Sequence, residues 1–264
     1  MSRILAIARN TFRENIRDKV LYNLILFALI MILSSLVIGE LSLGNEVKII
    51  LDLGLASISV FGMFIAVFLG IGLVYKELDK RTIYALLAKP VQRHEFILGK
   101  YLGLLYTLFI NVAVMTAGLE LALLCQGETG WSVLLNLLPA VFMIFLSLTI
   151  VTALALLFST FSTPALSACF TFFLWIIGHF GRDLLQLGEF SKSVIAKWIC
   201  YGIYYVIPNL AVFKIMGSRN IISSVSFYQP MDPSVVVSAF FYCVVYCAVI
   251  LSLSIVIFLR RDFK

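Results

Sequence analysis

The side chains with chemistry to offer are gathered in one stretch, Tyr75 to Tyr101. It sets Lys76, Glu77, Asp79, Lys80, Arg81, Lys89, Arg93, His94, Glu95 and Lys100 between two uncharged apolar runs that reach back to Leu53 and on to Leu119. Within it Glu77, Lys80, Arg81 and Thr82 form a polar turn, and Ile83 to Ala88 read as a short apolar-faced helix. Pro90 stops that helix, because the residue before a proline is pushed out of the helical region. The chain restarts through Arg93, His94 and Glu95. Leu86 and Leu87, framed by charges of both signs, are suited to a groove on a soluble partner. An ordinary connector between two membrane segments has the same ingredients, so the residues alone leave both readings open.

Catalysis finds no such concentration of groups. The two histidines, His94 and His179, lie far apart and the carboxylates are scattered; there is neither a His-Glu-x-x-His nor a nucleophile paired with a base. No Gly-x-x-x-x-Gly-Lys-Ser/Thr cradles a phosphate. The five cysteines, Cys125, Cys169, Cys200, Cys243 and Cys247, are odd in number and lack Cys-x-x-Cys spacing. They read as soft packing residues. No catalytic residue, metal site or cofactor is therefore assigned to the chain.

The elements that position the charged stretch are those of a membrane. The 264 residues are 62% hydrophobic and only 13% charged, more apolar surface than one soluble core can bury. An all-α integral membrane domain occupying 1–264 is expected, with spans at about 20–38, 53–75, 101–121, 134–158, 164–180 and 235–259. Before them, Ile4, Leu5, Ala8, Phe12 and Ile16 fall on one arc of a helix over 1–19, opposite Arg9, Asn10, Arg13, Glu14 and Arg17, with Ile7 off the arc. Such a helix is expected to lie in the headgroup plane, Phe12 in the apolar layer and Arg9, Arg13 and Arg17 against anionic lipid. The run that follows is too long for a signal peptide.

Glu40 to Asp52 reads as a polar turn between the first two spans, and Gly70-Ile71-Gly72 as a place of close helix approach. Asn111 in the third span and Glu120 near its outer end are candidates for a transport path. Pro164 suits the first turn of the fifth span, and His179 reads as an interfacial hydrogen-bonding residue. The segment 181–233 is external or re-entrant. Its apolar run Trp198 to Phe213 is shorter than a span and broken by Pro208-Asn209. With six spans and the N-terminus inside, 14 of the 20 Lys and Arg face the cytoplasm. The net charge of +6 thus follows the membrane topology rather than a nucleic-acid stripe.

The order Glu77…Arg81-Thr82…Leu86-Leu87…Pro90-Val91…Arg93…Leu98-Gly99-Lys100 resembles the first cytoplasmic coupling segment of ABC-2 type transporter permeases, with Arg81 where many relatives have glycine. The resemblance extends over the whole chain, and reaches the permeases of copper-site maturation and of antibiotic or sodium export. It implies a permease subunit of an exporter, with a coupling helix between spans 2 and 3 at Glu77, Arg81, Thr82, Leu86, Leu87, Pro90 and Arg93. It implies as partners a separate ATPase that binds ATP and Mg, and a second permease copy, identical or related. The expected home is a prokaryotic inner membrane, with both termini cytoplasmic. A membrane scaffold or assembly factor without transport activity is the alternative.

Overall fold

A computed structural model describes residues 3–40, 46–79, 92–126, 131–190, 194–213 and 233–260. Among these the chain is helical: α1 (Arg3–Ile16), α2 (Lys19–Glu40), α3 (Glu46–Asp79), α4 (Arg93–Cys125), α5 (Trp131–Phe161), α6 (Pro164–His179), α7 (Gly181–Phe190), α8 (Val194–Val206), a 3-10 turn (Leu210–Phe213) and α9 (Pro233–Arg260). Five of them, α2, α3, α4, α5 and α9, are long and apolar enough to cross a membrane. Of the six expected spans, the fifth corresponds to α6, whose 16 residues make a helix shorter than the roughly 20 that a perpendicular crossing requires.

Helix α5 is the axis of the bundle. It is apolar all round, and 78% of its span is buried against 22% for α2. Around it α3 packs closely on one side, where a Cβ added to Gly70 would lie 2.6 Å from that of Ala155. A Cβ at Gly72 meets nothing within 4 Å, so only the first glycine of the expected pair makes the close approach. Helix α3 also begins at Glu46, well before the span expected from Leu53. The polar turn expected over 40–52 is wrong in its second half. Lys48 and Asp52 stand one turn apart on α3, while Ile50, Leu51 and Leu55 carry the buried face into the same turns.

The path of α1 and α2 is set by one register. Arg3 pairs with Glu95, Ile7 lies against Gly99, Thr11 against Gly103 and Asn15 against Thr107, a constant offset along α4. Two helices that keep such an offset for three turns run parallel in the same direction. Helix α2 continues along α4, with Leu29 against Gly118. Asp18, at the bend between α1 and α2, accepts the N–H of Val20 at 3.1 Å and so starts α2. At the other side Phe258 of α9 stacks on Phe96 with centroids 6.0 Å apart. The beginning of α1 and the end of α9 therefore meet at the start of α4.

This register gives α1, expected to lie in the headgroup plane, a protein partner along α4 as well. Its apolar arc is divided between two neighbours: Ile4, Ile7, Ala8, Thr11 and Asn15 turn to α4, while Leu5 and Ile16 stay exposed beside Arg9, Arg13 and Arg17. Ile7, off the expected arc, belongs to the seam. Helix α4 has 33 residues, about 50 Å at 1.5 Å each, against a hydrocarbon core of about 30 Å. It must tilt or overhang, and α1 accompanies the end that carries its charges.

Of the segment read as external or re-entrant, residues 208–213 fold back on the bundle. Helix α8 ends at Val206 and the chain turns through Pro208-Asn209 into the 3-10 turn, where Leu210, Ala211 and Phe213 are buried. Non-helical backbone of this kind is stable beside a membrane when its polar groups are bonded to protein. The Asn209 N–H donates to the Tyr242 hydroxyl at 2.9 Å, and the Asn209 side-chain amide donates to the Tyr204 hydroxyl at 3.1 Å.

Candidate functional site

The flanks of the charged stretch are built by α3 and α4. Glu77 lies in the last turn of α3 and Arg93 is the first residue of α4. Arg81, Thr82, Leu86, Leu87 and Pro90 lie outside the described residues. The restart at α4 has a clear local cause. Glu95, three residues inside, accepts the Gln92 N–H at 3.1 Å, and the Phe96 N–H donates to the Gln92 carbonyl at 3.2 Å. A carboxylate in the first turn satisfies an otherwise open donor and complements the positive end of the helix dipole. The same carboxylate is 3.9 Å from the Arg3 guanidinium. Glu95 thus ties α1 to the point where the charged stretch re-enters the bundle, a role that sequence reading did not give it.

Below Glu95 the seam between α1 and α4 is narrow. A Cβ on Gly99 would lie 2.7 Å from that of Ile7, and one on Gly103 would lie 2.6 Å from that of Thr11 and 2.7 Å from the Ala8 carbonyl oxygen. Glycine at both places lets the backbones approach. The seam closes on a polar relay, in which the Asn15 amide donates to the Thr107 hydroxyl at 3.1 Å and that hydroxyl donates to the Gly103 carbonyl at 2.9 Å. Phe12 meets Tyr106 edge-on, centroids 4.4 Å apart. Arg9, Arg13 and Arg17 are exposed on the far side of α1. Buried Lys100 sits 5.4 Å from the centroid of the Phe96 ring.

The pathway candidates separate. Asn111 is buried on α4 and its amide donates to the Thr107 carbonyl at 2.9 Å, one turn back on its own helix. Glu120 is half-buried toward the opposite end of α4. The hydroxyls of Thr149, Thr152, Ser159 and Thr160 likewise donate to carbonyls three or four residues back. His179 places Nδ1 2.9 Å from the Trp175 carbonyl, four residues back on its own helix. Cys243 and Cys247 come together on α9, with sulfurs 3.9 Å apart, a juxtaposition that their four-residue spacing could have disclosed.

A helical bundle with several membrane-length helices, and one charged stretch bracketed where both ends of the described chain converge, defines a multi-pass membrane protein. The chain belongs to the ABC-2 transporter family: the family model for ABC-2 family transporter proteins matches residues 5–263. It is on that ground a permease subunit of an ABC transporter, the non-catalytic membrane part of such a system. No curated protein matches the chain.

Proposed function

We propose that this permease is half of an ATP-driven exporter whose energy comes from a separate ATPase docked on residues 77–93. Membership of the ABC-2 family along nearly the whole chain carries this reading. The arrangement of α3 and α4 supports it, since 80–91 joins two core helices at the end where α1 begins and α9 finishes. That end is the cytoplasmic one, and α6 completes a six-span topology in a prokaryotic inner membrane. Arg9, Arg13 and Arg17 face anionic headgroups there.

In the mechanism, Leu86 and Leu87 fill a groove on the ATPase while Glu77, Arg81, Thr82 and Arg93 fix orientation, with Pro90 ending the docked helix. The ATPase binds ATP and Mg, and its closure displaces the segment. Because 80–91 is continuous with α3 and α4, the displacement tilts both and opens a path between this chain and a second permease copy, identical or related. Glu120, half-buried, is the stronger pathway residue; Asn111 has its amide engaged with its own helix.

The test is purification from the native host in mild detergent, with the ATPase activity of the preparation measured for the unaltered chain and for Arg93→Glu. An ATPase that accompanies the chain and is released by the charge reversal is the expected result. Absence of any ATPase under several mild conditions, with function surviving the reversal, would establish a scaffold instead.

A further inference from the structure

We propose that Cys243 and Cys247 form a two-thiolate site for one soft monovalent cation of the Cu(I) or Ag(I) class. The two residues stand one turn apart on α9, so their side chains share a face. Both are buried, at 2% and 6% exposure, and their sulfurs lie 3.9 Å apart. With bonds near the zinc–thiolate length of about 2.3 Å, a linear two-coordinate ion needs its sulfurs about 4.6 Å apart, so they must part by about 0.7 Å from 3.9 Å, which side-chain rotation supplies without movement of the helix backbone.

A disulfide is the obvious competing use of the pair, and helix geometry excludes it. Residues one turn apart hold their Cβ atoms about 5–6 Å apart, whereas a disulfide draws them to about 3.8 Å. The donor set then decides the cation. Among the described residues no group of three or more His, Cys, Asp or Glu is placed to hold a metal. Two sulfurs alone suit a soft ion that accepts two ligands and exclude the hard divalent cations, which require several oxygens.

The surroundings fit the charge change. Binding converts two thiols and one monovalent cation into a bis-thiolate of net charge −1 and releases two protons. The hydroxyl of buried Tyr101 on α4 lies near Cys247. It donates to the Thr149 carbonyl at 3.2 Å and can turn to donate to the thiolate sulfur when the ion binds. Cys243 holds its own thiol 3.5 Å from the Leu146 carbonyl, a weak bond given up on deprotonation. Packing by α4, α5 and α9 buries both sulfurs away from water.

The other three cysteines, Cys125, Cys169 and Cys200, are exposed or half-exposed and serve as the control. The full-length chain in detergent is titrated anaerobically with Ag(I) against a competing chelator. One silver ion per chain is expected, retained when Cys125, Cys169 and Cys200 are all changed to Ser, and lost in Cys243→Ser and in Cys247→Ser. X-ray absorption of the silver-loaded triple variant is expected to show two sulfur neighbours. It decides the matter even where substitution of a buried cysteine prevents folding. Failure of the triple variant to hold silver, a shell without two sulfurs, or silver retained by a folded Cys243→Ser protein overturns the site. Neither result bears on ATPase docking, which this experiment does not involve.

Discussion

Substituting Gly103 by Ala tests whether α1 is a packed partner of α4 or a helix resting on lipid. The added Cβ lies 2.6 Å from the Cβ of Thr11 and 2.7 Å from the Ala8 carbonyl oxygen, one a branched side chain and the other backbone, so neither can swing aside. Carbon atoms prefer about 3.5–4.0 Å, so the two helices must part by about 1 Å. Overpacking of this sort costs about 1–3 kcal/mol. Helix propensity returns up to about 1 kcal/mol to any Gly→Ala change in a helix interior, and Gly72→Ala supplies that term by itself, since its Cβ meets nothing. The difference between the two variants then isolates the overpacking, and Gly103→Ala is expected to be the less stable by about 1–3 kcal/mol. Unfolding of each purified variant in detergent with increasing sodium dodecyl sulfate, followed by loss of helical circular dichroism, measures it. A difference within about 0.5 kcal/mol, the range of substitutions that touch nothing, refutes the seam.

Three further expectations rest on single contacts. Glu95→Ala removes the acceptor that caps α4 and the charge that faces Arg3; because Arg3 is largely exposed, the ion pair adds little, and the lost cap accounts for about 1 kcal/mol, read as roughly five-fold faster amide exchange over 92–98. Tyr242→Phe deletes the acceptor of the Asn209 N–H and is expected to cost about 1 kcal/mol in the same unfolding assay, where the same change at exposed Tyr22 is neutral. Changing Arg9, Arg13 and Arg17 together to Gln weakens attraction to anionic lipid by about 1 kcal/mol per charge. Quenching of protein fluorescence by brominated phosphatidylserine, compared with brominated phosphatidylcholine, is expected to lose its preference for the anionic lipid.

What the sequence made legible was mostly periodicity and hydropathy. Apolar runs located α2, α5, α6 and α9 closely, and Pro164 marked the first residue of α6, as a proline without an N–H to lose should. Where readings failed, a residue's partner lay far along the chain. Gly70 and Gly72 look alike in sequence, yet only the first faces Ala155. Ile7 looked misplaced because its neighbour is Gly99, 92 residues away. Thr11 and Asn15, which the two arcs of 1–19 left unassigned, are both buried in a seam whose other wall is α4. Lys48 and Asp52 read as a turn because charge usually marks a membrane boundary, whereas a single helical turn can carry both and still bury Ile50 and Leu51.

The same seam constrains the proposed coupling. A push on residues 80–91 reaches α4 at Arg93, and α4 cannot slide past α1 without breaking four matched contacts, from Glu95 with Arg3 to Thr107 with Asn15. None of these is strong alone. Their register makes them act together, because a slip of one residue along α4 sets side chains against Ile7 and Thr11 where glycine now stands. Helix α1 therefore travels with α4, and since α2 follows α1 after only Arg17 and Asp18, the motion passes to a helix whose apolar face is largely exposed. In the proposed mechanism three helices respond to one docked segment as a single lever, and α5, the most buried of the long helices, is the fulcrum against which they turn.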